Sequence, residues 1–99
     1  MNQVDVFKAL SNKSRLQILS WLKDPEQNFP DQLPAGFADG VCVGHIQKKS
    51  GLTQSTVSEY LTTLQRANLV VSTRKGQWTY YKRNEDTFAA LGQLIQSEI

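Results

Sequence analysis

Apolar residues recur along this chain at two different spacings, and the spacing assigns the elements. Val4, Phe7 and Leu10 stand three apart and predict a helix over about 2–10. Leu16, Leu19 and Leu22, with Ile18 and Trp21 beside them, predict a second helix from about Lys13 to Lys23. Ser11 or Asn12 can end the first and cap the second. Val57, Tyr60, Leu61 and Leu64 fall at i, i+3, i+4 and i+7 and form one stripe of a third helix. Phe88, Leu91, Leu94 and Ile95 mark a last helix over about 85–98, with Asn84 as its cap and Glu85 and Asp86 complementing its dipole. Between these helices the run Leu69 to Thr73 has high strand propensity, Lys75-Gly76 suits a turn, and Gln77 to Arg83 returns as a second strand. The alternation there leaves open whether Tyr80 or Tyr81 faces inward.

Asp24 to Gly40 holds all three prolines and two of the glycines, so a connection without regular helix is expected. Its length is unusual for a compact domain. Phe29, Leu33 and Phe37 are read as residues that pack it onto the helices, in preference to a ligand pocket beneath it.

The stretch Val41 to Leu69 organises the rest. A short helix is broken by Ser50-Gly51, where Gly51 suits the left-handed backbone of a helix end. Thr53 stands at an N-cap position. The helix behind it turns its apolar stripe inward and places Ser55, Ser58, Glu59, Thr62 and Arg66 opposite. Two helices set by a glycine-bearing turn, the second with a small polar face, form a helix-turn-helix over about 43–67. The following hairpin, about 69–83, reads as a wing, and such a second helix can enter a DNA major groove. The expected fold is therefore mainly α with a small β-hairpin: one winged helix-turn-helix domain over residues 1–99, with about five helices and a two-stranded wing.

Charge sharpens this picture. The net formal charge is only +2, but residues 41–83 carry seven basic side chains against one acid, Glu59, while the remainder carries four against eight. A basic half joined to an acidic half suggests a polyanion partner for one side. Apolar stripes on the first and last helices exceed what one small domain covers, so both are candidates for a two-fold interface. No apolar run is long enough to span a bilayer, the N-terminus lacks a signal-peptide pattern, and one cysteine makes no internal disulfide. A cytoplasmic location, no membrane association and no cofactor are expected. No phosphate loop, dinucleotide fingerprint, zinc-protease motif or nucleophile–base pair is present in the sequence, so no enzymatic activity is expected.

FKALSNKSRLQIL at 7–19, GLTQSTVSEYLTTLQRANLV at 51–70 and RKGQWTYYK at 74–82 together resemble the arsenic-repressor (ArsR-type) family of winged-helix transcriptional regulators. The resemblance spans nearly the whole chain apart from the long connection. It implies a homodimeric DNA-binding repressor, dimerised through helices at about 2–10 and 85–98 and relieved in many relatives by metal ions or other signals. Two departures stand out. Metal-sensing members carry a CVC-type motif where this chain reads Val41-Cys42-Val43-Gly44-His45, so Gly44 replaces the second thiol. Cys42 and His45 supply at most two ligands, too few for a soft metal, and no metal site is expected. Glu59-Tyr60 stands where relatives often carry Arg-His, which bears on the preferred DNA sequence.

The expected sites follow. Gln54, Ser55, Ser58 and Glu59 are the candidates for reading base edges, since Gln can pair with adenine and Glu can accept from cytosine. Thr53, Lys48, Lys49, Arg74 and Lys75 are the candidates for phosphate contact. Val4, Phe7, Leu10, Phe88, Leu91, Leu94 and Ile95 are the candidates for the dimer interface. The partners expected are double-stranded DNA, read as a near-palindromic site, and a second copy of the chain. No effector is indicated. The rival readings are a winged helix used for protein contact and a metal- or thiol-responsive repressor acting through Cys42.

Overall fold

The computed structural model describes residues 2–99. Its elements are α1 (Gln3–Leu10), α2 (Lys13–Lys23), α3 (Pro25–Asn28), a 3-10 turn (Pro30–Gln32), β1 (Val41–Cys42), α4 (Val43–Ser50), α5 (Gln54–Arg66), β2 (Val70–Lys75), β3 (Trp78–Arg83) and α6 (Glu85–Glu98). The five helices and the hairpin expected from the spacing are all there. Two features go beyond that expectation. The long connection contains a short helix and a 3-10 turn, each opened by a proline at its first positions, where the missing N–H is no loss. The sheet has a third strand, β1, paired antiparallel to the outer edge of β3, giving the order β1-β3-β2.

The core collects one face from almost every element. Val6 and Ala9 of α1, Ile18, Leu19 and Leu22 of α2, Ile46 of α4 and Val57, Leu61 and Leu64 of α5 meet Val41, Leu69 and Val70. Val57, Leu61 and Leu64 of the α5 stripe are completely buried and Tyr60 is half-buried against the core, which fixes the rotation of that helix about its axis. Leu91 and Leu94 of α6 join the same core. Leu16 is the exception on α2 and lies exposed. Within the sheet, Tyr81 pairs with the buried Val41 and packs against the core, while Tyr80, paired with Cys42, turns to the opposite face.

Local capping follows the residue chemistry at several ends. Asn12 accepts from the Arg15 amide at 2.9 Å and Thr53 accepts from the Thr56 amide at 3.3 Å. Asn84 occupies the N-cap of α6 but makes no side-chain cap bond. The end of α5 is a double-bonded C-cap. Leu69 N–H reaches Leu64 C=O and Asn68 N–H reaches Gln65 C=O, both at 2.9 Å, with Asn68 left-handed at φ 61°. The flanking Leu64 and Leu69 are fully buried, so this cap aims the chain from α5 directly into the wing.

The long connection is tied down differently from the expectation. Phe29 is buried and Phe37 packs on the core, but Leu33 is exposed. Gln32 supplies the missing tie. Its side chain is buried, donates to Gly36 C=O (3.0 Å) and Gly40 C=O (2.9 Å), and accepts from the Cys42 amide (2.9 Å). Gly40 is required there twice over. Its φ is +103°, and a Cβ would collide with the Tyr81 carbonyl oxygen.

Candidate nucleic-acid interface

The turn between α4 and α5 is built from backbone and hydroxyl groups. Gly51 adopts φ 69° and returns its N–H to Gln47 C=O at 3.1 Å. Ser50 Oγ donates to the same carbonyl at 2.8 Å and accepts from the Leu52 amide at 3.1 Å. Thr53 then caps α5, and its hydroxyl donates to Thr56 Oγ1 at 2.9 Å and lies 3.3 Å from Ser55 Oγ. Because Val57, Leu61 and Leu64 point inward, Gln54, Ser55, Ser58 and Glu59 are all exposed on the opposite side. The structure therefore brings the four base-reading candidates onto one outward face at the N-terminal half of α5.

The phosphate-contact candidates are less uniform. Lys48 is exposed on α4, with no carboxylate within salt-bridge distance among the described residues. Lys49 lies on a different flank, its ammonium 5.3 Å from the centre of the Trp21 ring and 5.8 Å from that of Phe29. Arg74 donates to Gly76 C=O at 3.0 Å, within the hairpin tip. Lys75 forms a 2.6 Å ion pair with Asp39 of the long connection. The hydrogen bond that Lys75 donates to Asp39, and then the charge of that carboxylate, raise the Lys75 pKa above its ordinary 10.5.

The basic excess of residues 41–83 is also thinner in three dimensions than in sequence. Arg83 is withdrawn from the surface: it makes two 3.0 Å bonds to Glu85, its guanidinium lies 3.7 Å from the Phe88 ring centre, and its side chain is only 12% exposed. Lys82 donates to Ala38 C=O at 3.4 Å. The acids that pair with Lys75 and Arg83, Asp39 and Glu85, lie just outside the segment whose charge was counted. Only folding brings them in.

Of the dimer-interface candidates, Val4 (61% exposed), Phe7 (37%) and Ile95 (48%) are open to solvent, and Ile99 (76%) adds to them. Leu10 and Phe88 are half-buried against the core. Leu91 and Leu94 are buried in the protomer's own core, because α6 must seat one face on its own subunit before it can offer another. Spacing identified the stripe but did not divide it between the two jobs.

Cys42 is partly buried at the N-cap of α4 and makes no side-chain cap bond. Among the described residues no group of three or more His, Cys, Asp or Glu side chains is gathered as a metal would need. The donor set at Cys42 and His45 does not fit a soft metal ion. No described helix is long and apolar enough to cross a membrane.

An exposed polar face on the second helix of a three-stranded winged helix-turn-helix is the arrangement from which DNA-binding regulators are made. The comparisons agree. A Bacillus subtilis protein named as an uncharacterized HTH-type transcriptional regulator, YbzH, is 49% identical over the full length of both chains. The chain belongs to the ArsR family of winged helix-turn-helix transcriptional regulators. A putative arsenical resistance operon repressor of Halobacterium salinarum is 31% identical over 92% of this chain and 66% of its own length. The solution structure of a homodimeric winged helix-turn-helix DNA-binding domain from Mycobacterium bovis, a possible ArsR-family regulator, superposes with a TM-score of 0.66. It is 30% identical, covering 94% of this chain and 73% of that one. No protein-family model matches the chain. Its relatives in this family are transcriptional regulators.

Proposed function

We propose that this ArsR-family chain acts as a homodimeric repressor that reads a near-palindromic operator. The observation that carries the reading is the division of α5 into a buried side, with Val57, Leu61 and Leu64 fully covered, and an exposed face bearing Gln54, Ser55, Ser58 and Glu59. A helix held so firmly on one side can present the other to base edges without reorganising. Thr53, Lys48, Arg74 and Lys75 flank that face as phosphate contacts, with Lys49 a more distant contributor. Val4, Phe7, Ile95 and Ile99 leave apolar surface that a second copy would cover, and the M. bovis relative is described as homodimeric. Two-fold symmetry then calls for half-sites about 34 Å apart.

Repression follows if the operator overlaps a promoter, since a bound dimer excludes polymerase. Selection of bound fragments from a random DNA pool at fixed salt tests the reading. Two related half-sites one turn apart are expected, with a dimer-sized complex in solution. Recovery of no enriched sequence, or a strictly monomeric protein, would overturn it.

A further inference from the structure

A groove of about 680 Å³ lies between the long connection, the start of α4 and the wing. That volume is typical of small-molecule sites. One wall is the connection, which Gln32 holds in place through its three hydrogen bonds to Gly36, Gly40 and Cys42. The other wall is the outer face of β3, where Trp78 and Tyr80 stand two residues apart and turn to the same side. Trp78 is 52% exposed, a large apolar surface for a side chain that makes no ring–ring contact among the described residues. Lys75 also lines the groove and is neutralised by Asp39 at 2.6 Å. Lys48 lines it as well and has no such partner among the described residues. Asp31 is the remaining acid in the lining.

We infer that this groove binds a small aromatic monocarboxylate, with its ring against Trp78 and Tyr80 and its carboxylate at Lys48, and that this binding releases DNA. The inference rests on the proposed role of Lys48 as a phosphate contact. Two aromatic side chains on one wall favour a flat apolar body. One unpaired ammonium favours one negative charge, and Asp31 nearby opposes a second. A ligand carboxylate on Lys48 takes the ammonium that a DNA phosphate would otherwise use. Its ring also lies beside the hairpin that carries Arg74 and Lys75. Ligand and operator therefore bind with negative coupling, which must be reciprocal.

The test uses benzoate as the probe, with benzamide and benzylamine as its neutral and cationic counterparts and acetate as the control for salt. In ¹⁵N-labelled full chain, millimolar benzoate should shift the Trp78 indole N–H and the amides of Gly36 and Lys48, and the other three compounds should not. Saturating benzoate should lower operator affinity about tenfold, within the usual range of coupling. Ala35→Phe, which fills the groove from the connection, should abolish both effects while the protein still binds DNA. Tyr80→Leu, which removes part of the aromatic wall, should weaken benzoate binding in the same way. Shifts that are absent, or equal for benzamide, overturn the inference, as does benzoate binding that leaves operator affinity unchanged. If the chain bound no DNA at all, the operator reading would fall, and the titration would still decide whether the groove binds the acid.

Discussion

Arg15 holds its guanidinium 5.5 Å from the centre of the Tyr60 ring while donating to Ala9 C=O at 2.7 Å and Lys8 C=O at 3.2 Å. One side chain on α2 thus closes the last carbonyls of α1 and rests on α5, the helix that carries the exposed polar face. The join connects a helix proposed for dimerisation to the helix proposed for base reading. Arg15→Ala is expected to cost about 1–3 kcal/mol, from two lost hydrogen bonds to a helix end and one cation–π contact. Arg15→Lys should recover only part, because an ammonium cannot span both carbonyls in the plane of a guanidinium. Urea denaturation with a fixed slope checks both. Equal stability of Arg15→Ala and the parent would mean the join carries no load.

Thr53 has one task that the structure shows and a second that is proposed for it. As N-cap it satisfies the Thr56 amide, a task aspartate performs equally well. In its proposed place beside a phosphate it must not be negative. Thr53→Asp should therefore leave thermal stability unchanged or slightly higher, while operator affinity at low salt falls by about tenfold or more through like-charge repulsion. A gel-shift titration beside a melting curve separates the two. Undiminished DNA affinity would remove Thr53 from the interface.

Gln54 and Lys48 are predicted to differ in kind. Gln54→Ala should change which sequences are preferred, because an amide facing a base edge discriminates among bases. Lys48→Gln should weaken binding to all sequences alike and lower the slope of log affinity against log salt by about one. Affinities for a panel of operators at several salt concentrations read both effects. A Gln54→Ala protein with the parent's sequence preference would show that α5 is not read through this residue.

Among the described residues Gln32 is the one buried polar side chain, and all its bonds go to backbone. Gln32→Leu keeps the bulk but leaves Gly40 C=O and the Cys42 amide without their partner. A loss of about 2–3 kcal/mol is expected, together with faster amide exchange at Cys42. If Gln32→Leu melts with the parent, the connection is held by its other contacts, Phe29, Phe37 and the Lys75–Asp39 pair among them.

Tyr81 sets an alkaline limit. Burial raises its phenol above the ordinary 10.0, so the folded chain keeps a proton that the unfolded chain releases. The contribution is fully present below pH 10.0 and is lost as pH rises through the folded value. Lys75, paired with Asp39, is shifted in the same direction, although it is exposed and its share is small. Stability measured by urea should therefore decline above about pH 10, and Tyr81→Phe should flatten that decline. An unchanged slope in Tyr81→Phe would assign the limit elsewhere.

Much of this molecule was legible before folding because local chemistry decides it. Helical spacing gave α1, α2, α5 and α6, Gly51 and Thr53 gave the turn between α4 and α5, and strand propensity gave the wing. The exposed face of α5 followed from its buried stripe by arithmetic alone. The family resemblance drawn from three segments agrees with the relatives found. Other features needed the tertiary structure, since they join residues far apart in sequence or divide one face between two uses. The pairing of β1 with β3 depends on the close approach of Gly40 to Tyr81, forty-one positions away. Gln32 looked like an ordinary polar loop residue until three backbone groups converged on it. Lys75 and Arg83 counted as free charges until folding set Asp39 and Glu85 beside them. Leu91 and Leu94 share a stripe with Ile95, and only packing shows that the protomer's own core takes the first two and leaves the third to solvent. Periodicity reports which way a side chain points. What lies in that direction is settled by long-range contacts, which a period cannot encode.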